Sequence, residues 1–162
     1  MIVTLRQPQA NDIDWITKAC QDNEIQRWTT VPRPYLRRHA EEYVLQSHTQ
    51  PSIFAVIELA TDLGVGMINI HGVDQATGEA VAGYWIAPWA RRRGVATQAL
   101  QQLIEHARTL PGATTLTLKI SPANVASRGT AAKSGFVVVR TETQTCHDGD
   151  TATDALIYSL PL

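Results

Sequence analysis

Between Ala80 and Ile120 the chain reads strand, turn, helix, turn, strand, and no other run limits its fold as tightly. Ala80–Ile86 is uncharged and carries Val81, Tyr84, Trp85 and Ile86, residues that suit a pleated, buried strand. The helix Val95–Thr109 sets Ala99, Leu103, Ala107 and Leu110 along one stripe, and Pro111-Gly112 stops it. Thr115–Ile120 then alternates Leu116, Leu118 and Ile120 against Thr115, Thr117 and Lys119. Two strands joined by a crossover helix lie parallel in one sheet. The strands Ser52–Leu59 and Val65–His71, separated by Asp62 and Gly64, approach this crossover through the turn Asp74–Gly78 and read as an antiparallel front.

The flanks complete an α/β pattern. A short strand, Ile2–Arg6, precedes a helix capped by Asn11 or Asp12 with Ile13, Ile16 and Cys20 on one face. Ile25–Tyr35 reads as irregular, since Pro32 and Pro34 oppose a helix, and Leu36–His48 as a second helix. A short helix from Asn124 to Ser134 is followed by strands Phe136–Glu142 and Thr153–Leu160 around Asp148-Gly149. The expected fold is a mixed, mostly antiparallel sheet of about seven strands flanked by about four helices.

A length of 162 residues fits one domain spanning the whole chain, and 44% hydrophobic content is enough for a core. A net charge of -1 argues against a surface that coats nucleic acid, so any anion must be held locally. Cys20 and Cys146 lack the spacing of a zinc or redox pair, and the five histidines lack metal-ligand spacing, so no metal is expected. The N-terminal residues lack a signal-peptide pattern, and the uncharged run Val81–Ala90 is far short of the roughly 20 residues of a membrane helix. A soluble, cytoplasmic protein with no membrane partner is expected.

Local anion binding has an obvious place. Arg91-Arg92-Arg93-Gly94-Val95-Ala96-Thr97 joins the end of a strand to the start of a helix. First-turn amides lack partners within a helix, the dipole is positive there, and Gly94 and Ala96 let a ligand approach the backbone. These are the requirements of a pyrophosphate site, although a solvated basic turn is the alternative. The stretch is neither a P-loop nor a dinucleotide GxGxxG.

Arg91-Arg92-Arg93-Gly94-Val95-Ala96 resembles the [QR]-x-x-G-x-[GA] signature of the GNAT N-acetyltransferases. Gly83-Tyr84-Trp85-Ile86, Asn124-Val125-Ala126-Ser127, Lys133-Ser134-Gly135-Phe136, Gln26-Arg27-Trp28, Pro34-Tyr35 and Asp154–Leu160 resemble its RimJ/RimL branch, which acetylates N-terminal amines of ribosomal proteins. The resemblance implies a GNAT-like sheet whose strand Ala80–Ile86 splays from Thr115–Ile120. It implies acetyl-CoA as co-substrate, its pyrophosphate on the Arg91–Thr97 loop and its pantetheine beside the backbone of Trp85, Ile86 and Ala87.

Further roles follow from the same resemblance. Asn124 corresponds to the asparagine that contacts the CoA arm, with a helix N-cap as the alternative or additional role. Many members carry a tyrosine in the following helix as acid to the leaving thiolate; here that position is Ala131. The RimL-like branch has a serine in the first turn, here Ser127, whose other reading is a hydroxyl bonded to its own helix backbone. Where some N-terminal acetyltransferases place a glutamate ahead of the asparagine, this chain has Lys119. The base stays unassigned among Glu41, Glu58, His71 and Glu79, or a water relay.

Trp15 and Trp85 read most simply as core, whereas Trp28 and Tyr35 are candidates to line an acceptor pocket, with a loop anchored in the core as the alternative for Trp28. Arg27, Arg33, Arg37 and Arg38 have no acidic residue among them. Either they attract an acceptor with negative charge around its amine, or they pair with Glu41, Glu42 or Asp22. The acceptor is a protein N-terminus or a small-molecule amine such as a polyamine, amino acid or aminoglycoside. A weak acyl-CoA-binding module is the competing class, and both monomer and homodimer remain open.

Overall fold

The computed structural model describes residues Met1–Leu162. Its strands are β1 (Val3–Arg6), β2 (Ile53–Glu58), β3 (Leu63–Val73), β4 (Glu79–Ile86), β5 (Thr115–Ile120), β6 (Val137–Asp148) and β7 (Thr151–Pro161). The helices are α1 (Ile13–Cys20), α2 (Asn23–Trp28), α3 (Arg37–Ser47), α4 (Val95–Ala107) and α5 (Val125–Lys133). All seven strands form one sheet in the order β1-β2-β3-β4-β5-β7-β6. Every pairing is antiparallel except β4 with β5, which the α4 crossover joins in parallel.

The expected mixed sheet is present, with one helix more than anticipated. The segment read as irregular from Ile25 begins as α2, because Asp22 caps that helix by accepting the Ile25 amide at 3.0 Å. Pro32 and Pro34 lie beyond its end at Trp28 and constrain only the loop that follows. The last hairpin is also longer than expected, since β6 and β7 continue to a tight turn at Gly149.

Alternation along the strands gives the sheet two apolar faces. Ile53, Ala55, Ile57 and Met67 meet Ile16, Cys20, Ile25, Ala40 and Val44 of α1–α3. Val56, Ile68, Ile70, Ala82, Leu116 and Leu118 meet Val95, Ala99, Leu100, Leu103 and Ala107 on the opposite face, under α4. The helix α4 also covers the free edge of β1: Gln98 and Gln102 each accept an amide and donate to a carbonyl there, standing in for a missing strand. No helix is long and apolar enough to cross a membrane.

The pairing between β4 and β5 is brief. Glu79–Ala82 match Thr115–Leu118, after which β4 stays with β3 as far as Ile86 and β5 stays with β7 as far as Ile120. The sheet therefore opens between Gly83–Ile86 and Lys119–Ile120.

One buried carboxylate fixes the start of α1 and so the helices on that face. Asp12 accepts from Arg6 at 2.7 and 2.9 Å, from the Gln9 amide at 2.7 Å and from Trp15 Nε1 at 2.8 Å. Burial alone would raise its pKa, but these hydrogen bonds outweigh burial and hold it below the usual carboxylate value. Asp12→Asn is expected to cost about 2–4 kcal/mol in urea unfolding, because it leaves Arg6 without its charge partner. A depressed folded pKa contributes stability above the unfolded value of about 3.9, so that contribution should disappear as pH falls below 4 in the wild type and be absent in the variant.

Candidate active site

A cleft of about 1240 Å³ runs through the opening in the sheet and reaches both faces. Ala87 donates its amide to the Val65 carbonyl at 2.9 Å. By the alternation of an antiparallel ladder, Gly83 and Trp85 also face β3, while the main-chain groups of Tyr84 and Ile86 face the gap. The Ile86 carbonyl confirms this direction by accepting Arg91 Nε at 3.2 Å. Of the three residues expected to offer backbone groups to a ligand, Ile86 keeps only its amide open to the gap, its carbonyl being held by Arg91. The groups of Trp85 and the Ala87 amide are taken by β3, and the Ala87 carbonyl accepts the Ala90 amide at 2.9 Å.

The Arg91–Thr97 loop lies at the wide end of this gap. Arg92 and Gly94 both adopt positive φ, 60° and 76°, which curls successive amides toward one point. The first bond of α4 runs from the Gln98 amide to the Gly94 carbonyl at 3.2 Å, so the amides of Val95, Ala96 and Thr97 have no acceptor in the helix. A Cβ at Gly94 would meet nothing closer than 3.8 Å, so backbone angle rather than crowding favours glycine there. The three arginines differ from one another. Arg91 is ion-paired with Asp22, Arg92 lines the cleft, and Arg93 is exposed outside it.

Across the gap, Asn124 caps α5 by accepting the Ser127 amide at 3.1 Å. Ser127 Oγ lies 2.9 Å from the Tyr84 phenol and does not bond its own helix backbone, so that alternative is not what forms. Sequence reasoning missed Tyr84. Its place beside Trp85 carried a strand signal, and nothing in one dimension links residue 84 to residue 127. Ala131 is fully buried one turn further along α5.

The other side of the cleft mixes apolar and aromatic residues with the acids Glu24 and Glu42. Ile16, Cys20, Ile25, Trp28, Tyr35, Met67 and Trp85 contribute to it. Trp85 and Trp15, expected in the core, are only partly buried and meet edge to face at 6.0 Å. Trp28 is partly exposed, its Nε1 donating to Glu24 at 3.0 Å. Burial pushes the Cys20 thiol up to about 12, so it is protonated and unreactive at neutral pH.

Of the four arginines of the basic segment, three are ion-paired, as the second of the two readings holds, and Arg38 has no acidic partner. Arg27 pairs with Asp148 at 2.5 Å, Arg33 with Asp150 at 3.1 Å, and Arg37 with Asp14 and Glu41. Arg33 does not line the cleft. Two of these four acids, Asp148 and Asp150, come from the β6–β7 hairpin tip, which folds back on the segment after α2. His147 Nε2 reinforces this by donating to the Thr29 carbonyl at 2.8 Å, and the Gly149 amide donates to the Arg27 main-chain carbonyl at 2.9 Å.

The four base candidates separate cleanly. Glu79 bonds Thr117 and Arg140 at the closed end of the gap, Glu58 holds Thr61, and Glu41 pairs with Arg37. Only His71 lines the cleft. Its Nε2 would lie 3.2 Å from a Cβ at Gly83, so the absent side chain gives the imidazole its place. Partial desolvation holds its pKa below the ordinary imidazole value.

An acetyltransferase (GNAT) domain matches residues 3–137. The chain belongs to the GNAT acetyltransferase family. It is an acyltransferase by that membership. An uncharacterized N-acetyltransferase, p20, of Bacillus licheniformis is 25% identical over 130 residues, covering 77% of this chain and 73% of the relative. The RimL ribosomal L7/L12 alpha-N-protein acetyltransferase, solved with coenzyme A, superposes with TM-score 0.85 at 16% identity, covering 99% of this chain and 94% of that one. Spermidine N-acetyltransferase from Vibrio cholerae, solved with CoA and spermine, gives 0.83 at 15% identity, covering 98% and 95%. The GNAT fold expected from the sequence is thus the fold observed, including its likeness to RimL.

If backbone amides rather than arginine charge make the anion site, Gly94→Val should weaken CoA binding at least about tenfold, because a β-branched residue opposes positive φ by roughly 1–2 kcal/mol and tilts the amides. Arg92→Ala should weaken it less than about threefold, as expected for a solvated charge. Calorimetry with CoA measures both; equal losses would assign the site to side-chain charge.

Proposed function

We propose that this enzyme transfers the acetyl group of acetyl-CoA directly to a primary amine. The observation that carries the reading is the meeting, at the end of β4, of unpaired main-chain groups with the amide-lined start of α4. In this reading the amides of Gly94–Thr97 hold the pyrophosphate, with Arg92 adding solvated charge. Asn124 contacts the CoA arm, and the gap-facing groups of Tyr84 and the Ile86 amide make with the ligand the hydrogen bonds that β5 gives up. The thioester supplies an activated acetyl carbonyl. The Ile86 amide is aimed where negative charge grows on that carbonyl as nitrogen attacks.

His71 takes the proton that the nitrogen sheds after attack, directly or through one water. Being neutral at pH 7 it is ready to do so, and a free α-amine with a pKa of about 8 is already partly unprotonated. Ser127 meets the departing sulfur. The acceptor enters from the α1–α3 side, between Trp28, Tyr35 and Trp85, where the charged side chains that α2 and α3 contribute to the lining are the acids Glu24 and Glu42 and the lysines and arginines of the lining come from other elements. That wall favours an amine on an apolar or aromatic body, whether a protein N-terminus or a small molecule, over one selected by negative charge.

Thiol release from acetyl-CoA, followed with a panel of amines and checked by mass of the acetylated product, tests the reading. Amine-dependent release is the expected result, with apolar N-terminal peptides ahead of acidic ones; CoA binding without turnover on any amine would instead mark a binding module. His71→Gln should lower kcat/KM by roughly 10²-fold. Read as kcat at saturating amine, so that the amine's own protonation at about pH 8 is set aside, the limb set by the depressed His71 pKa should lie below about pH 6.5 in the wild type and be absent in the variant. An unchanged rate and profile would remove His71 from the mechanism.

A further inference from the structure

We propose that Tyr84 is a positioning residue for the leaving thiolate: its phenol donates to Ser127 Oγ and thereby commits the Ser127 hydrogen to sulfur. The inference rests on the reading of Ser127 as the group that meets the thiolate, and it names what makes that serine competent. A serine hydroxyl alone is a poor acid and a free rotor. Here it is neither free nor alone.

Geometry sets the pair and acidity sets the donor. Tyr84 leaves β4 on the α5 side at the level where β4 and β5 have parted, and its hydroxyl reaches Ser127 Oγ at 2.9 Å. A phenol, with a pKa of about 10, is much the stronger acid of the two, so it donates and the serine oxygen accepts. The Ser127 hydrogen then has no protein acceptor. The Asn124 Oδ1 atom is engaged by the Ser127 amide, and the neighbouring Thr130 hydroxyl donates to the Ala126 carbonyl. What remains for that hydrogen is the cleft, which both Tyr84 and Ser127 line. Accepting one hydrogen bond also strengthens the hydroxyl as a donor in the next.

The placement answers a gap in the helix. Ala131, where the resemblance leads one to expect a phenol, is a buried methyl that cannot move a proton. The sheet supplies the phenol from the opposite wall. As the C–S bond breaks, its electron pair stays on sulfur and the Ser127 proton passes to it. Ser127 takes the phenolic proton in return, and water re-protonates Tyr84 with the proton released through His71. One proton leaves the amine and one arrives on the thiol. Burial keeps the Tyr84 pKa above its ordinary value, so the phenol is fully protonated at neutral pH.

The test is a cycle of Tyr84→Phe, Ser127→Ala and the double variant, reading kcat with acetyl-CoA and a saturating amine, and Kd for CoA by calorimetry. Ser127→Ala should lower kcat by roughly 10²-fold or more, and Tyr84→Phe by roughly tenfold, each with CoA affinity within about twofold of wild type. In the Ser127→Ala background the phenol should be silent, because it works only through the serine. Tyr84→Phe at the wild-type rate, or an equal loss in both backgrounds, overturns the inference while leaving Ser127 in place. A wild-type rate for Ser127→Ala overturns the reading beneath it. Replacing Tyr84 by 3-fluorotyrosine keeps the ring and makes the phenol more acidic, so the alkaline fall in kcat should move to lower pH. An unmoved limb would mean that the phenol is only structural.

Discussion

Four residues of parallel pairing, Glu79–Ala82 on Thr115–Leu118, decide what this molecule can do. Had β4 and β5 paired along their full length, the amide and carbonyl of Tyr84 and the amide of Ile86 would be satisfied and the sheet would be closed. They part because each is held more firmly by its outer neighbour: β4 by β3 through the Ala87–Val65 bond, β5 by β7 along its entire length. The closed end is pinned by Glu79, which accepts from Thr117 at 2.9 Å and from Arg140 at 3.0 Å. Main-chain groups left open in a half-buried gap are costly without a partner, and a ligand with its own amides is such a partner.

The crossover adds the second element. A helix that joins two parallel strands begins at the carboxyl end of the first, so α4 starts where the gap is widest. Its amide-lined N-terminus therefore faces the same opening as the free groups of β4. The two helical layers then divide the work between faces, α4 and α5 on one side and α1–α3 on the other, with the gap as the passage between them. Ser127 and Tyr84 close one wall of that passage from different elements, and His71 stands on the other side.

Most of the architecture was legible because it is periodic. The stripe of α4, the alternation of β5 and the apolar runs of β2–β4 encode elements locally, and the Arg91–Thr97 loop announced itself by its position after a strand. What escaped was non-local or a matter of one hydrogen bond. The cap from Asp22 starts α2 ahead of the prolines, which oppose a helix only beyond Trp28. Arg27 and Arg33 find acids more than a hundred residues away, at a hairpin tip whose position no sequence pattern gives. The partnership of Tyr84 with Ser127, and the fact that His71 alone of the four candidates lines the cleft, both needed the splay to be seen.

Amide hydrogen exchange, resolved by residue with and without CoA, tests the central claim most directly. The account requires that the amides of Tyr84, Ile86, Val95, Ala96 and Thr97 exchange readily in the free protein and become protected when CoA binds. Those of Gly83, Trp85 and Ala87, already bonded to β3, should be slow throughout. Protection that spares the gap-facing amides, or that appears equally on the β3-facing ones, would contradict a ligand seated in the opening between β4 and β5.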